Sequence, residues 1–139
     1  MADQPTMYTQ AHFPEEFGPG TTFHAYARTN DAARFEADLR VQYHLNEKAP
    51  KFPGASDMMA HSVEAGVQKA LMTLGTQDSM IDLYNKMMDP EKRHQFAGEV
   101  NKEMTGMLEK FGIAVDGVDI ATYGVPTREF DLINKSQQR

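Results

Sequence analysis

From Phe35 to Leu45 the chain alternates without a break. Phe35, Ala37, Leu39, Val41, Tyr43 and Leu45 fall on one side of an extended backbone, and Glu36, Asp38, Arg40, Gln42 and His44 on the other. This period of two marks a strand with one face in a core and one in water. Phe23, Ala25 and Ala27 alternate in the same way with His24, Tyr26 and Arg28, and Thr29-Asn30-Asp31 supplies turn residues between the two runs. The pattern predicts a β-hairpin whose apolar face needs cover from the rest of the chain. In this register Leu39→Asp buries an unpaired charge and unfolds the domain, whereas Arg40→Asp is nearly silent.

After the loop "EKAPKFPGA" the period changes. Met59, Val63, Val67, Ala70, Leu71 and Leu74 recur at the three-and-four spacing of one helix face, so a helix capped by Ser56 or Asp57 and ended by Gly75 is predicted. A short helix follows near Asp78 to Met87, with Met80, Ile81, Leu83 and Tyr84 for packing. Asp89-Pro90 then reads as a cap followed by a proline at the first helical position, where its missing N–H does no harm. The helix it opens carries Phe96, Val100, Met104, Met107, Leu108 and Phe111 on one side, and Gly112 is placed to close it in the left-handed conformation. Phe96 to Phe111 would span roughly 22 Å, enough to cross a small sheet.

The stretch "KFGIAVDGVDIATYGVPTREFD" returns to the extended pattern. Ile113 and Val115 alternate, Asp116-Gly117 permits a bulge, and Val118 and Ile120 resume, so a strand running to about Tyr123 rejoins the hairpin's sheet. Pro126 and Thr127 end it and cap a final helix with Phe130, Leu132 and Ile133 inward. The fold class expected is α+β: a small antiparallel-containing sheet covered by amphipathic helices. Residues 1–20, with Pro5, Pro14, Pro19, Gly18 and Gly20 and no periodicity, form an extended arm or linker whose Tyr8, Phe13 and Phe17 are available to dock on a neighbour. Residues 21–126 form the domain and 127–139 start a C-terminal helix.

At 139 residues and 40% apolar content, the chain holds one ordinary domain with a single core. The charge of -6, with 14 basic residues scattered among 20 acidic ones, argues against a nucleic-acid partner, which needs clustered Lys and Arg. With no cysteine there is no disulfide, thiolate metal site or cysteine nucleophile. No window is long and apolar enough to span a membrane, and "MADQPTMYTQAHFPEEFGPG" lacks the basic-then-apolar order of a signal peptide.

No residue group satisfies a catalytic or metal-binding pattern. His12, His24, His44, His61 and His94 fall in different elements, and no pair has the spacing that puts two imidazoles on one helical turn. Asp116 and Asp119 lack the alternating oxygen ligands and distal Glu of an EF-hand loop, and Glu99 and Glu103 lie on a solvated helix face. Phosphate-binding glycine loops and nucleophile elbows are missing. No catalytic, cofactor-binding or metal residue is therefore assigned. Ten methionines lie mainly on helices, as gap fillers or adaptable contacts. The adjacent residues of the pairs Met58-Met59 and Met87-Met88 cannot both face one core from a regular helix, so at least one of each pair is a candidate for contact with another molecule.

The succession "VQYHLNE", "SVEAGVQKALMTLGT", "DSMIDLY", "AGEVNKEMTGMLEKFGIAVDGVDI" and "YGVPTREFDLINKSQQ" resembles the Band 7 or SPFH domain, shared by stomatins, prohibitins, flotillins and bacterial regulators of the membrane protease complex. The resemblance covers about residues 22 to 138. Gly112, Ile113, Val115, Val118 and Ile120 match the family's Gly-Ile-x-Val-x-x-Val-x-Ile strand, and Pro126 stands at the family's proline. It implies a non-enzymatic homo-oligomeric scaffold, assembling into rings or cages that organise membrane patches or regulate membrane proteases or channels. Family members usually carry an N-terminal membrane anchor and earlier strands, and a coiled coil after the final helix. Here the arm stands in the first place and the sequence ends at Arg139, so the expectation is either a domain of a longer, membrane-associated protein or a reduced relative in the cytoplasm. In the first case the membrane is reached only through segments this chain lacks. The alternative is a soluble structural or binding module, such as a shell subunit. An enzyme built from His24, His44 and neighbouring acids on the polar sheet face is the remaining reading.

Overall fold

The computed structural model describes residues 8–13, 20–128, 130–131 and 135. In chain order the elements are β1 (Tyr8–His12), β2 (Thr21–Arg28), β3 (Arg34–Leu45), α1 (Ala55–Gly75), α2 (Met80–Met88), α3 (Pro90–Leu108) and β4 (Ile113–Pro126). The strands form one antiparallel sheet in the order β1-β4-β3-β2. Helices α1 and α3 pack together and cover one face, α1 over β2 and α3 over β4. This is the α+β arrangement expected from the sequence.

The hairpin follows its alternation. Phe23, Ala25 and Ala27 of β2 and Phe35, Ala37, Leu39 and Val41 of β3 are buried. Tyr43 is half-buried and Leu45 is 37% exposed, where β3 runs on past Val41, the last residue paired with β2. The turn is fixed by Thr29, whose N–H donates to Ala33 O at 2.9 Å and whose hydroxyl donates to Asp31, and by Ala32 at φ 65°. Asp31 Oδ1 also accepts the Met80 N–H at 3.1 Å, tying the turn to the start of α2. Arg40, expected to tolerate an acidic substitution, pairs directly opposite the buried Asp119. A carboxylate there would face another across the ladder, which is destabilising.

Strand β4 lies between β1 and β3 and carries two irregularities. The pairing steps from Gln42↔Gly117 to Tyr43↔Val115, leaving Asp116 extra, and from Asp38↔Thr122 to Leu39↔Ile120, leaving Ala121 extra. Each bulge resets the side-chain phase. Ile113 and Val115, then Val118 and Ile120, then Tyr123 and Val125 are thereby all buried or half-buried in the core. The first bulge is the one Asp116-Gly117 predicts. The second has no glycine to announce it.

Helix α1 buries the whole predicted stripe of Met59, Val63, Val67, Ala70, Leu71 and Leu74. Each such side chain contributes on the order of 1–3 kcal/mol when removed from water. Neither Ser56 nor Asp57 caps it: Gly54 occupies the N-cap position at φ 84°, with no side-chain cap bond. The Pro53-Gly54 turn brings the chain round in a left-handed conformation that glycine alone adopts without strain. Asp89 caps α3 as predicted, accepting the N–H groups of Glu91 at 3.0 Å and Lys92 at 3.2 Å. Phe96, Val100, Met104 and Leu108 are buried and Met107 is half-buried, but Phe111 is 42% exposed. The helix tightens to a 3-10 turn over Glu109–Phe111, and the larger angular step carries Phe111 off the stripe. Gly112 closes the turn at φ 77° against the backbone of Lys48 and Ala49, where a Cβ would lie 2.2 Å from Ala49 N.

Arg93, on α3, is 5% exposed; its Nη1 donates to Met87 O at 2.7 Å, and its guanidinium lies 3.8 Å from the centre of the Phe13 ring. In the stretch assigned to the arm, residues 8–12 form β1 and pair with β4. Past Pro126, residues Thr127, Arg128, Phe130, Asp131 and Lys135 are helical and Phe130 packs on the core. Phe17, Leu132 and Ile133 lie outside the described residues.

Candidate functional site

The face of the sheet opposite the helices carries a polar cluster that involves all four strands. In register, Gln10, Gly124, Glu36 and Tyr26 form one row across the sheet, and His12, Thr122, Asp38 and His24 form the next. His24 sits opposite Asp38 and diagonal to Glu36. Its Nδ1 is 2.6 Å from Asp38 Oδ1 and its Nε2 is 3.2 Å from Glu36 Oε2. The other carboxylate oxygens are also engaged: Gln10 Nε2 donates to Glu36 Oε1 at 2.8 Å, and the Thr122 hydroxyl donates to Asp38 Oδ2 at 3.0 Å.

Gly124 makes this possible. It separates Gln10 from Glu36 in the row, and a Cβ on it would come within 3.0 Å of Gln10 Cγ and 3.4 Å of Glu36 Cγ. The missing side chain lets Gln10 reach across a whole strand. Glu36 is covered as a result and is only 7% exposed, although it stands on the face turned away from the helices. The Tyr26 ring stands edge-on to the His24 ring, their centres 4.6 Å apart.

The arrangement does not suit nucleophilic catalysis. In a hydroxyl–imidazole–carboxylate relay the imidazole must lie between the other two. Here Asp38 lies between Thr122 and His24, so the ring cannot take the hydroxyl proton. Acid–base work by Glu36 or Asp38 would need an oxygen turned to a substrate, and each of the four oxygens lies within 3.2 Å of a polar atom on another strand. Imidazole nitrogens that address two different carboxylates are placed as hydrogen-bond partners, not as metal ligands. Among the described residues, no group of three or more His, Asp and Glu could hold a metal ion. The cluster stitches the strands together.

His44 is not part of it. It bonds Asp116 Oδ2 through Nδ1 at 2.8 Å, with both side chains largely exposed. His24 is opposite Asp38, six residues back along β3, or roughly 20 Å at strand rise. The two histidines of the enzymatic reading thus belong to separate places. His12 lies on β1, His61 on α1 and His94 on α3. Gln10, Thr122 and Gly124 carried no signal in the sequence: the bonds lie 26 and 84 residues apart, and only the strand order brings them together.

Inside the core, the Tyr123 phenol packs against Phe35 and Tyr84, ring centres 5.7 Å and 6.5 Å away. Burial, reinforced by Tyr84, pushes its ionisation well above the usual value of 10. Its hydroxyl has no hydrogen-bond partner among the described residues.

One sheet, a covering pair of long helices, and a central strand opened by Gly112-Ile113 and closed at Pro126 are the features the resemblance requires. Residues 19–139 match the SPFH domain / Band 7 family. The chain belongs to that family. No curated protein sequence matches it. Of the family's positions, Ile113, Val115, Val118 and Ile120 lie on β4 and Gly112 immediately precedes it, the irregular spacing being produced by the bulge at Asp116. No helix among the described residues is long and apolar enough to cross a membrane.

Proposed function

We propose that this SPFH domain is a non-enzymatic scaffold element that self-associates head to tail into rings or cages, and that such assemblies organise membrane patches or control access to membrane proteases or channels. The observation that carries the reading is the family match over residues 19–139. Two features support it. The polar cluster on the outer sheet face has its carboxylate oxygens engaged by neighbouring strands, which suits a rigid building block. One methionine pair divides in a way that leaves a contact surface, with Met59 buried and Met58 44% exposed; Met87 and Met88, expected to divide likewise, both pack on the core, Met88 half-buried.

Ring closure needs a heterologous contact, in which two different surfaces of the same protein meet. Amine cross-linking of isotope-mixed protein, read by mass spectrometry, distinguishes this from a two-fold dimer. Links between copies are expected to join different lysines, for example one on α1 to one in the 46–54 loop. A pattern dominated by links of a lysine to its own equivalent would replace the ring with an isologous dimer.

A further inference from the structure

Strand β2 ends the sheet on the side of α1, and one of its residues is already paired by a side chain. The Gln68 carboxamide, reaching from α1, accepts the Tyr26 N–H at 3.0 Å through Oε1 and donates through Nε2 to Tyr26 O. Those are the two bonds that one residue of a neighbouring strand would make. The bonds also fix the phase of the edge. In an antiparallel ladder inward and outward residues alternate, so with Tyr26 outward, the backbone groups of Thr22, His24 and Arg28 also face the open edge. Beside them runs a groove of about 550 Å³ between strand and helix, lined by Tyr26, Arg28, Arg34, Gln68, Met72 and Thr76 among others. Tyr26 is 56% and Met72 50% exposed there.

The charge at one end of this groove is unbalanced. Arg28 and Arg34 are directly opposed across the hairpin and both are exposed. Like charges in that position repel. Neither has a carboxylate partner among the described ion pairs; Arg28 donates only to Ala32 O, at 3.1 Å.

We propose that the β2 edge takes an extended segment of another protein, alternating acidic and apolar residues, as an added antiparallel strand. Main-chain bonds to Thr22, His24, Tyr26 and Arg28 supply the affinity of strand addition. The apolar side chains of the segment fall on the α1 side, over Met72, and its carboxylates fall on the outer side beside Arg28 and Arg34. Antiparallel pairing puts the N-terminal half of the segment at the arginines. Gln68 holds the Tyr26 groups until the segment displaces it, so it tempers binding and blunts an edge that would otherwise pair indiscriminately.

The test is a proton–nitrogen NMR titration of the full chain, to millimolar concentration, with an acetylated, amidated heptapeptide of alternating Val and Glu, and in parallel with its Val and Lys counterpart. Saturable shifts of the Thr22, His24, Tyr26 and Arg28 amides with the Glu peptide, at least tenfold weaker with the Lys peptide, are expected. Arg28→Glu combined with Arg34→Glu should invert that preference. Gln68→Ala should tighten the Glu peptide about fivefold, the equivalent of one net hydrogen bond of about 1 kcal/mol. No shift at these amides, equal response to both peptides, or movement of the same amides on diluting the protein alone would overturn the proposal. The last of these would make a second copy of the chain the occupant.

Discussion

Tyr123 shows how a single side chain sets a limit on the stability of the domain. It is 2% exposed, and its hydroxyl finds no partner among the described residues. Removing a buried hydroxyl that has no partner is neutral or stabilising, so Tyr123→Phe should keep or raise the free energy of unfolding measured in urea, by up to about 1 kcal/mol. The alkaline limb supplies an independent check. Because the folded-state ionisation is raised above the usual value of 10, the unfolded chain loses its Tyr123 proton first. Stability is therefore fully present below about pH 10 and declines above it, by up to about 1.4 kcal/mol per pH unit from this group. Tyr123→Phe should remove that part of the decline. Identical alkaline profiles for the two proteins would contradict the buried, neutral phenol. Nothing in "ATYGVP" marks Tyr123 as buried; after Ile120 a strict alternation puts it on the solvent side, and only the extra residue at Ala121 turns it inward.

The same bulges explain what was legible among the elements. Long periodic segments declare themselves: the α1 stripe and the β3 alternation each rest on six positions at one spacing, and caps such as Asp89-Pro90 act within a turn of where they stand. Strand β1 does not, because five residues, Tyr8 to His12, cannot establish a period, and their docking depends on the space left by Gly124, far along the chain. The buried Arg93 is hidden for a related reason, since its partners Met87 O and the Phe13 ring come from other elements. The register of the hairpin can be tested on β3 and a helix surface together. Leu39 is fully buried, and Leu39→Asp should lower stability by more than about 4 kcal/mol and unfold the domain at room temperature. Glu103→Lys, on the exposed side of α3, should change it by less than about 0.5 kcal/mol. Circular-dichroism melts showing the two variants equally stable would contradict the register. Arg40 is unsuitable as the silent control, given Asp119 opposite.

For the whole molecule, fold and family were legible because they rest on the order of elements and on the glycine-to-proline frame around β4, from Gly112 to Pro126. The outer-face cluster was not, since His24, Glu36 and Asp38 look like an ordinary wet face until β1 and β4 are placed beside them. Self-association is the claim on which the scaffold reading depends, and it is a property of surfaces too weak to read from periodicity. Tethering raises the effective concentration of such contacts to the millimolar range without adding any new one. Sedimentation velocity of the chain alone, across micromolar to millimolar concentrations, and of the chain fused at its C-terminus to a parallel trimeric coiled coil, tests the claim most directly. The scaffold account predicts monomer passing to oligomers with rising concentration for the first, and discrete assemblies larger than trimers for the second. A chain that stays monomeric throughout, with a fusion that sediments only as a trimer, would contradict it.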